Sequence, residues 1–292
     1  MNARDEQSQQ ITLRDQRKLA FSEYGVPDGK PIFYFNGTPG SRLEFVGHED
    51  IARKHGARVI ATDRPGFGLS DLQPGRRLTD WPDDIIQLAD YLQIDQFGII
   101  GVSAGGMHAQ ICAVKVPERL TNVALVGSPI PLDRPEAFEG MSTLNRSIFW
   151  LGHNLPWLYW IYINLLVLAI GKDTDRLVKV VSQAAHTTDK ELFFSPLHYE
   201  RYKANFGEAV RNGTKGVVQE LYLSARPWGI EPEDIGIKVN IWHGGLDTNT
   251  PPSMGRLLAQ RIPDNKLWFY EDLAHYTLLH ERLDEIVRET VR

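Results

Sequence analysis

The feature that most constrains the fold of this chain is a repeated alternation of apolar, β-branched runs with segments of helical periodicity. Several of these runs are continuously apolar, which is typical of strands in a parallel sheet that helices cover on both faces. The alternation therefore predicts a doubly wound α/β fold. The runs expected to form strands are, in chain order, QITLRD and KLAFSEYG, which form a hairpin, then PIFYFNG, ARVIATD, FGIIGV, NVALVGS, VNIWHGG and KLWFYED.

The alternation is interrupted once, between about Pro129 and Trp228, where only helical or irregular patterning is visible. We expect residues 129–228 to form a helical cap inserted after the sixth strand, with residues 1–128 and 229–292 as the core. Such a cap would lie over the C-terminal edge of the sheet, where open α/β sheets bind their ligands. The helices expected in the core are SRLEFVGHEDIARKHG, WPDDIIQLADYLQ, AGGMHAQICAVKV and PPSMGRLLAQRI.

Charge and composition limit the classes of partner. The net charge of −5 and the isoelectric point near 6.0 argue against nucleic acid or an anionic membrane as the main partner. The single cysteine, Cys112, excludes an intramolecular disulfide and suits a reducing compartment. The N-terminal stretch MNARDEQSQQ lacks the apolar segment of a secretory signal, so we expect a cytoplasmic protein. No metal-ligand cluster or phosphate-binding glycine motif is recognised, so a small-molecule substrate and no metal or organic cofactor are expected.

The segment GVSAG, Gly101 to Gly105, matches the pattern G-x-S-x-G directly after one of the predicted strands. In this pattern a serine lies on a strained strand-to-helix turn with its hydroxyl above the sheet. The pattern is short enough to be an ordinary turn, so it predicts a nucleophile only if the chain supplies the other groups that a reactive serine needs. Those groups are a base, a carboxylate that orients the base, and backbone N–H groups for the oxyanion.

Each of these groups has a candidate at the end of a predicted strand. Asp247, after VNIWHGG, is the candidate carboxylate, although its position also suits a turn or helix-capping aspartate. His275 is the candidate base because it lies between the last predicted strand and the last helix. The backbone N–H groups of Thr38 and Ala104 are the candidate oxyanion donors, with an ordinary turn as the alternative for the Thr38 loop. The order Ser103, Asp247, His275 agrees with that of the G-x-S-x-G hydrolases.

The other histidines near these segments have structural interpretations. His108 falls one turn into the helix after Ser103, where core packing is expected, and His243 is expected to pack the loop beside Asp247. His280 lies within the last helix and is expected at the surface.

Five segments, in this order, resemble the α/β-hydrolase superfamily, and specifically its capped serine esterase-like members: FNGTPGSR, ATDRPGFGLSD, GVSAGG, IWHGGLDTNTP and LAHYTLL. The resemblance covers about residues 31–128 and from Val239 onward, and it implies a mostly parallel eight-stranded sheet with helices on both faces and a helical cap. It implies a catalytic triad of Ser103, Asp247 and His275. For the segment ATDRPGFGLSD, the resemblance implies that Arg64 and its polar neighbours have a structural and not a catalytic role. The family usually has histidine where this chain has Asn36, which affects the shape of the oxyanion loop.

The function expected from the residues and the resemblance is hydrolysis of a carboxylic ester of a small or medium apolar substrate, through an acyl-enzyme on Ser103. The same triad could serve cleavage of a C–C bond, a lactone or an amide. A different class of function is that of a ligand-binding or signalling protein with a residual triad, since the fold alone does not determine the reaction.

The cap region contains a strongly apolar segment, Leu155 to Ile170, that is shorter than the roughly 20 residues of a bilayer span. It could form the core of the cap, line an apolar substrate pocket, or dock to a partner or membrane, so we expect a monomer or a homodimer that associates through the apolar cap. The substrate-binding candidates in and beside this segment are Trp150, Trp157 and Trp160. The mixed polar segment at residues 198–216 is expected on the outer face of the cap, without a chemical role.

Overall fold

A computed structural model describes residues 8–132, 135–141, 143–171, 173–183 and 185–292. Residues 1–7, which belong to the stretch considered for a secretory signal, lie outside the described residues. The described strands form one eight-stranded sheet in the order β1-β2-β4-β3-β5-β6-β7-β8. The strands are β1 (Ser8–Thr12), β2 (Lys18–Gly25), β3 (Lys30–Phe35), β4 (Ala57–Thr62), β5 (Phe97–Val102), β6 (Leu120–Val126), β7 (Val239–Gly244) and β8 (Asn265–Tyr270).

The sheet is mostly parallel. β1 pairs with β2, and β2 with β4, in antiparallel register, whereas every pair from β4 onward across the sheet is parallel. All six residues of β5 and all six of β7 are buried, because helices cover both faces of the sheet. The predicted α/β fold with an eight-stranded sheet is confirmed.

Two apolar clusters fill the two faces of the sheet. Neighbouring residues of one strand belong to opposite clusters, as Ile99 and Ile100 of β5 do, because side chains alternate across a strand. One cluster packs helices α2, α3 and α10 against the sheet, and the other packs α1 and α11. The core helices are α1 (Glu49–Lys54), α2 (Trp81–Tyr91), α3 (Ala104–Lys115), α10 (Pro252–Arg261) and α11 (His275–Thr290).

The helix predicted over residues 41–56 is divided in the structure. A short 3-10 turn covers Arg42–Phe45, and the α-helix begins only at Glu49. Gly47 separates them with φ +84°, a left-handed conformation that interrupts a helix and favours glycine. The apolar periodicity indicated helical residues on both sides of Gly47, but it gave no indication of the break between them.

Among the described residues between β6 and β7, in the region expected to form the cap, there are six further α-helices: α4 (Thr143–Asn154), α5 (Pro156–Ile170), α6 (Thr174–Gln183), α7 (Thr187–Phe194), α8 (Pro196–Ala209) and α9 (Lys215–Ser224). They share an apolar cluster of their own, which Phe67 of the core and Tyr276 of α11 also join. These contacts attach the helical segment to the core on the side where Ser103 lies. The bounds 129–228 for the cap remain a prediction.

Helix α5 buries a narrow stripe and exposes the rest of its apolar surface. Tyr159, Ile163 and Val167, spaced four residues apart, are buried, while Leu165 and Leu168 are 61% and 75% exposed. The sequence analysis left a monomer and a homodimer open; a homodimer would use this exposed face, and both alternatives stay predictions. Within the described ranges, no helix has the length and apolarity needed to cross a membrane.

Candidate active site

Ser103 lies at the turn between β5 and α3, and its backbone is in a conformation that is rare for a residue with a side chain, with φ 51° and ψ −124°. The turn is held by the Ser103 N–H, which donates to the carbonyl of Val126 at 2.8 Å. The Ser103 carbonyl accepts from the N–H of Gly106, also at 2.8 Å. The hydroxyl is thereby fixed at the C-terminal edge of the sheet, at the start of a helix.

Steric contacts explain why glycines flank this serine. A Cβ on Gly105 would lie 2.0 Å from the carbonyl oxygen of Phe35 in the adjacent strand β3. A Cβ on Gly101 would lie 2.7 Å from the Cβ of Ala109 in α3. Both positions bring helix and sheet backbones closer than any side chain allows, so the motif is a requirement of this turn.

Asp247 and His275 form a buried pair at the C-terminal ends of β7 and β8. His275 Nδ1 lies 2.6 Å from Asp247 Oδ2. The other carboxylate oxygen accepts from the backbone N–H groups of Asn249 and Thr250, both at 2.8 Å, and the Thr250 hydroxyl lies 2.8 Å from Oδ2. With all of its oxygens engaged, the carboxylate fixes both the position of the imidazole ring and the nitrogen that carries the proton.

The pair is electrostatically coupled. Burial opposes the charged imidazolium of His275, but the charge and hydrogen bond of Asp247 outweigh it and raise the pKa of His275 above its ordinary value of 6.5. Burial also opposes the carboxylate of Asp247, and the charge and hydrogen bond of His275 in turn hold the pKa of Asp247 below its usual range. His275 is therefore a base of increased strength with an ionised partner.

Ser103 and His275 line the same pocket, together with Gly37 and Thr38 from the loop after β3. The pocket encloses about 800 Å³ when the open solvent at its mouth is included. The loop approaches the serine closely, since a Cβ on Gly37 would lie 3.9 Å from Ser103 Oγ. The structure thus brings Ser103, His275 and the predicted oxyanion loop to one cavity, with Asp247 behind the histidine.

Arg64 holds the oxyanion loop in place through three hydrogen bonds. Its guanidinium donates to the carbonyl of Asn36 at 2.5 Å, to that of Gly37 at 2.9 Å and to the Thr38 hydroxyl at 2.8 Å. The Asn36 amide also donates to the Gly37 carbonyl at 3.1 Å, so this side chain shapes the loop in which the resembled family usually has histidine. No hydrogen bond takes up the N–H of Thr38 or Ala104 among the described residues, and both N–H groups are available to an oxyanion.

Two buried carboxylates of the helical segment, which the sequence analysis missed, contact residues that position this site. Glu220 of α9 forms ion pairs with Arg64 Nε at 2.8 Å and with Arg76, and its Oε1 lies within hydrogen-bond distance of His108 Nε2 at 2.8 Å. Asp189 of α7 accepts from the backbone N–H groups of Tyr276 and Thr277, at 3.1 and 2.9 Å, at the start of the helix that carries His275. Their partners lie far away in sequence, so no local pattern identifies them.

The structure corrects two expectations about the cap. Trp150, Trp157 and Trp160 are 56%, 64% and 51% exposed and do not line this pocket. Trp150 lies on α4, and the buried stripe of α5 turns Trp157 and Trp160 toward solvent. The segment 198–216 was expected on the outer face, yet α8 contributes pocket residues, among them Arg201 and Tyr202.

The three other histidines considered in the sequence analysis, His108, His243 and His280, lie as expected. His108 is buried in the core against Glu220, and His243 Nε2 lies 2.9 Å from the Thr250 carbonyl in the loop beside Asp247. His280 is exposed, at the mouth of the pocket.

The fold and the site define a doubly wound α/β protein with a serine at a strained strand-to-helix turn and an Asp–His pair across the pocket. The model of the alpha/beta hydrolase fold family matches residues 30–281. The chain belongs to that family.

Individual proteins of this family resemble the chain to different extents. The 3-oxoadipate enol-lactonase 2 of Acinetobacter baylyi is 28% identical over 129 residues, which cover 44% of this chain and 48% of that protein. The chain thus spans about half the length of this relative. A 2-hydroxymuconate semialdehyde hydrolase of Pseudomonas putida is 26% identical over 89% of this chain and 86% of that protein. The crystal structure of a hydrolase from Pseudomonas aeruginosa PA01 superposes with a TM-score of 0.76 over 99% of both chains at 19% identity, a likeness in fold.

Proposed function

We propose that this protein is a serine hydrolase that cleaves a carboxylic ester through an acyl-enzyme on Ser103. The observation that carries the proposal is the meeting of Ser103, on its strained turn, and the buried Asp247–His275 pair at one pocket. Family membership supports hydrolysis as the class of reaction. The pocket supports a substrate with an apolar body, because residues such as Leu43, Val102 and Phe206 line it.

In the proposed reaction, His275, held by Asp247, accepts the proton of Ser103 while the serine oxygen attacks the ester carbonyl carbon. The carbonyl electron pair moves to oxygen, and the Thr38 and Ala104 N–H groups donate to this oxyanion. When the carbonyl re-forms, the alcohol leaves with the proton from His275, and an acyl-enzyme remains. Water activated by His275 then attacks the acyl carbon and releases the carboxylic acid, which restores the free serine.

A second reaction on the same triad, cleavage of a C–C bond or a lactone, is favoured by one observation. The semialdehyde hydrolase of Pseudomonas putida matches nearly the full length of this chain, and the Acinetobacter baylyi relative is an enol-lactonase. Both reactions begin at a carbonyl carbon and need the same base and oxyanion donors, so the ester and lactone substrates belong in one assay panel.

The Ser103→Ala variant tests the proposal. With 4-nitrophenyl esters of increasing acyl length, we expect the wild type to turn over and Ser103→Ala to lose at least about 10⁴-fold in kcat, because the nucleophile is removed. Ser224→Ala is the matched control, since this serine lies at the end of α9 and its hydroxyl only donates to the Leu221 carbonyl.

Two outcomes would contradict the proposal. Turnover that survives in Ser103→Ala would show that another group performs the chemistry. A wild type that hydrolyses none of the esters or lactones but binds one ligand stoichiometrically would favour the ligand-binding alternative.

A further inference from the structure

The pocket is lined by a second set of polar side chains that the proposed reaction does not use. Arg201 and His198 of α8, His48 of the loop before α1, and His280 of α11 line it. The His198 and His280 rings are 4.5 Å apart and perpendicular, and those of His48 and His280 are 6.5 Å apart. Three elements distant in sequence thus place four nitrogen-bearing side chains around one part of the cavity.

The lack of a side chain at Gly47 leaves the space that the guanidinium of Arg201 occupies. Gly47, the glycine that interrupts the helix predicted over residues 41–56, lies directly beneath its guanidinium. A Cβ on Gly47 would be 2.4 Å from the nearer terminal nitrogen of Arg201 and 2.5 Å from Cζ. His198 and Arg201 are three residues apart on α8 and therefore share one face of the helix.

The positive charge of Arg201 is not neutralised by an ion pair within the described ranges. Three acidic residues adjoin this cluster in sequence, Glu49, Glu200 and Glu281, and none of them is in an ion pair with Arg201 within those ranges. Glu49 accepts from the Gly47 N–H at 3.0 Å. Burial, followed by the charge of Arg201, lowers the pKa of His48 to about 4, although Glu49 opposes this shift. Burial and the neighbouring His280 and Arg201 also lower the pKa of His198. After burial, the charge of Arg201 is thus one of the causes that lower the pKa of both histidines.

Glu44, the one acidic residue among the described residues that line the pocket, is engaged elsewhere. It accepts from the Tyr34 hydroxyl at 2.9 Å and from the Asn205 amide at 3.3 Å. Burial raises the pKa of Glu44, and the groups that counter this shift are Tyr34, Asn205, the Gly37 N–H and Arg64, all outside the Arg201 cluster. Glu44 therefore does not serve as the partner of Arg201.

We propose that Arg201, flanked by His48, His198 and His280, binds a carboxylate of the substrate while the scissile carbonyl lies at Ser103. A guanidinium fork matches the two oxygens of a carboxylate, and the half-buried position of Arg201 in the pocket strengthens the contact. The apolar side chains that also line the pocket suit a hydrocarbon chain. The substrate class is then the half-ester, or the equivalent lactone or keto acid, of a dicarboxylic acid. This inference rests on the proposed hydrolytic function.

The test compares 4-nitrophenyl half-esters of dicarboxylic acids, from glutarate to suberate, with the 4-nitrophenyl esters of monocarboxylic acids of equal carbon count. We expect the wild type to prefer one acidic ester by at least about tenfold in kcat/KM, mainly through KM, and to lose this preference as ionic strength rises. Arg201→Met is expected to lower the ratio of acidic to neutral kcat/KM about 30-fold, and Arg201→Lys is expected to recover part of it. Lys203→Met, on the same helix but paired with Asp175, should leave the ratio unchanged.

The results separate this inference from the function on which it rests. If neutral esters are hydrolysed but the wild type shows no preference for acidic ones, or Arg201→Met keeps the preference, the carboxylate site is wrong and the serine hydrolase remains. If no ester is hydrolysed, the carboxylate site is tested by binding, measured by titration calorimetry with the monomethyl esters from glutarate to suberate. Binding that Arg201→Met abolishes supports the carboxylate site, and binding that is absent from the wild type or unaffected by the variant overturns it.

Discussion

Replacing Asp247 with asparagine is expected to lower kcat by about 10⁴-fold without unfolding the protein. The carboxylate accepts from His275 and also from the N–H groups of Asn249 and Thr250. An asparagine has one acceptor oxygen, so it either loses these N–H bonds or presents its amide N–H to His275 Nδ1. The second arrangement stabilises the wrong tautomer, in which the nitrogen facing Ser103 carries a proton and cannot accept one. The measurement is kcat on the best 4-nitrophenyl ester.

The same variant should change the pH dependence of kcat/KM. The base must be neutral to act, so activity rises with pH through the pKa of His275. Because Asp247 outweighs burial and raises that pKa above 6.5, we expect the acid limb of the wild type to have its midpoint above 6.5. Asp247→Asn removes the charge and leaves burial to disfavour the imidazolium, so the limb should move to lower pH.

The matched control is Asp272→Asn, an exposed carboxylate in the loop just before His275. It should retain both the rate and the midpoint of the wild type. A loss of less than tenfold in Asp247→Asn, or an acid limb that stays in place, would show that Asp247 does not orient the catalytic base.

The second large effect is expected for Glu220→Gln. Glu220 is buried between Arg64, Arg76 and His108. Burial opposes its charge, but these three partners outweigh burial and hold the pKa of Glu220 well below its usual range. The variant leaves two buried arginines without their carboxylate, so the free energy of unfolding should fall by about 3–5 kcal/mol. Urea unfolding followed by circular dichroism measures this loss.

A loss of activity should accompany the loss of stability. Arg64 holds the carbonyls of Asn36 and Gly37 in the oxyanion loop, and Glu220 in turn holds Arg64. We therefore expect kcat to fall in Glu220→Gln at temperatures where the variant is still folded. Glu191→Gln, an exposed glutamate of α7, is the control and should change neither quantity. An unfolding free energy within about 1 kcal/mol of the wild type would contradict the role of Glu220 as the link between cap and core.

The core of the fold and the three candidate catalytic residues could be predicted because each depends on local patterns. Continuous apolar runs identify buried strands such as β5 and β7. Ser103 follows β5 directly, Asp247 lies in the loop after β7, and His275 comes after the loop that follows β8. The C-terminal ends of parallel strands meet at one edge of a sheet, so residues distant in sequence are brought together by the topology alone. The Asp247–His275 contact at 2.6 Å agrees with that expectation.

The cap could not be predicted in the same way. α5 is apolar on nearly every side, so its sequence has no face that indicates which residues are buried, and the orientation of Trp157 and Trp160 could not be inferred. α8 is mixed and polar because one side of it lines a pocket that contains charge, which in sequence looks like a solvated surface. Glu220 and Arg64 are separated by more than half of the chain, and a contact of that kind leaves no local signal.

The most direct test of the account is reaction of the protein with a fluorophosphonate probe, followed by proteolysis and mass mapping of the adduct. An activated serine attacks the phosphorus and displaces fluoride, whereas an ordinary serine does not. We expect rapid, stoichiometric labelling of the peptide that carries Ser103 in the wild type and none in Ser103→Ala. We also expect greatly slowed labelling in His275→Ala, which lacks the base. No adduct on the folded wild type, or an adduct on a different serine, would contradict the claim that Ser103 is the nucleophile.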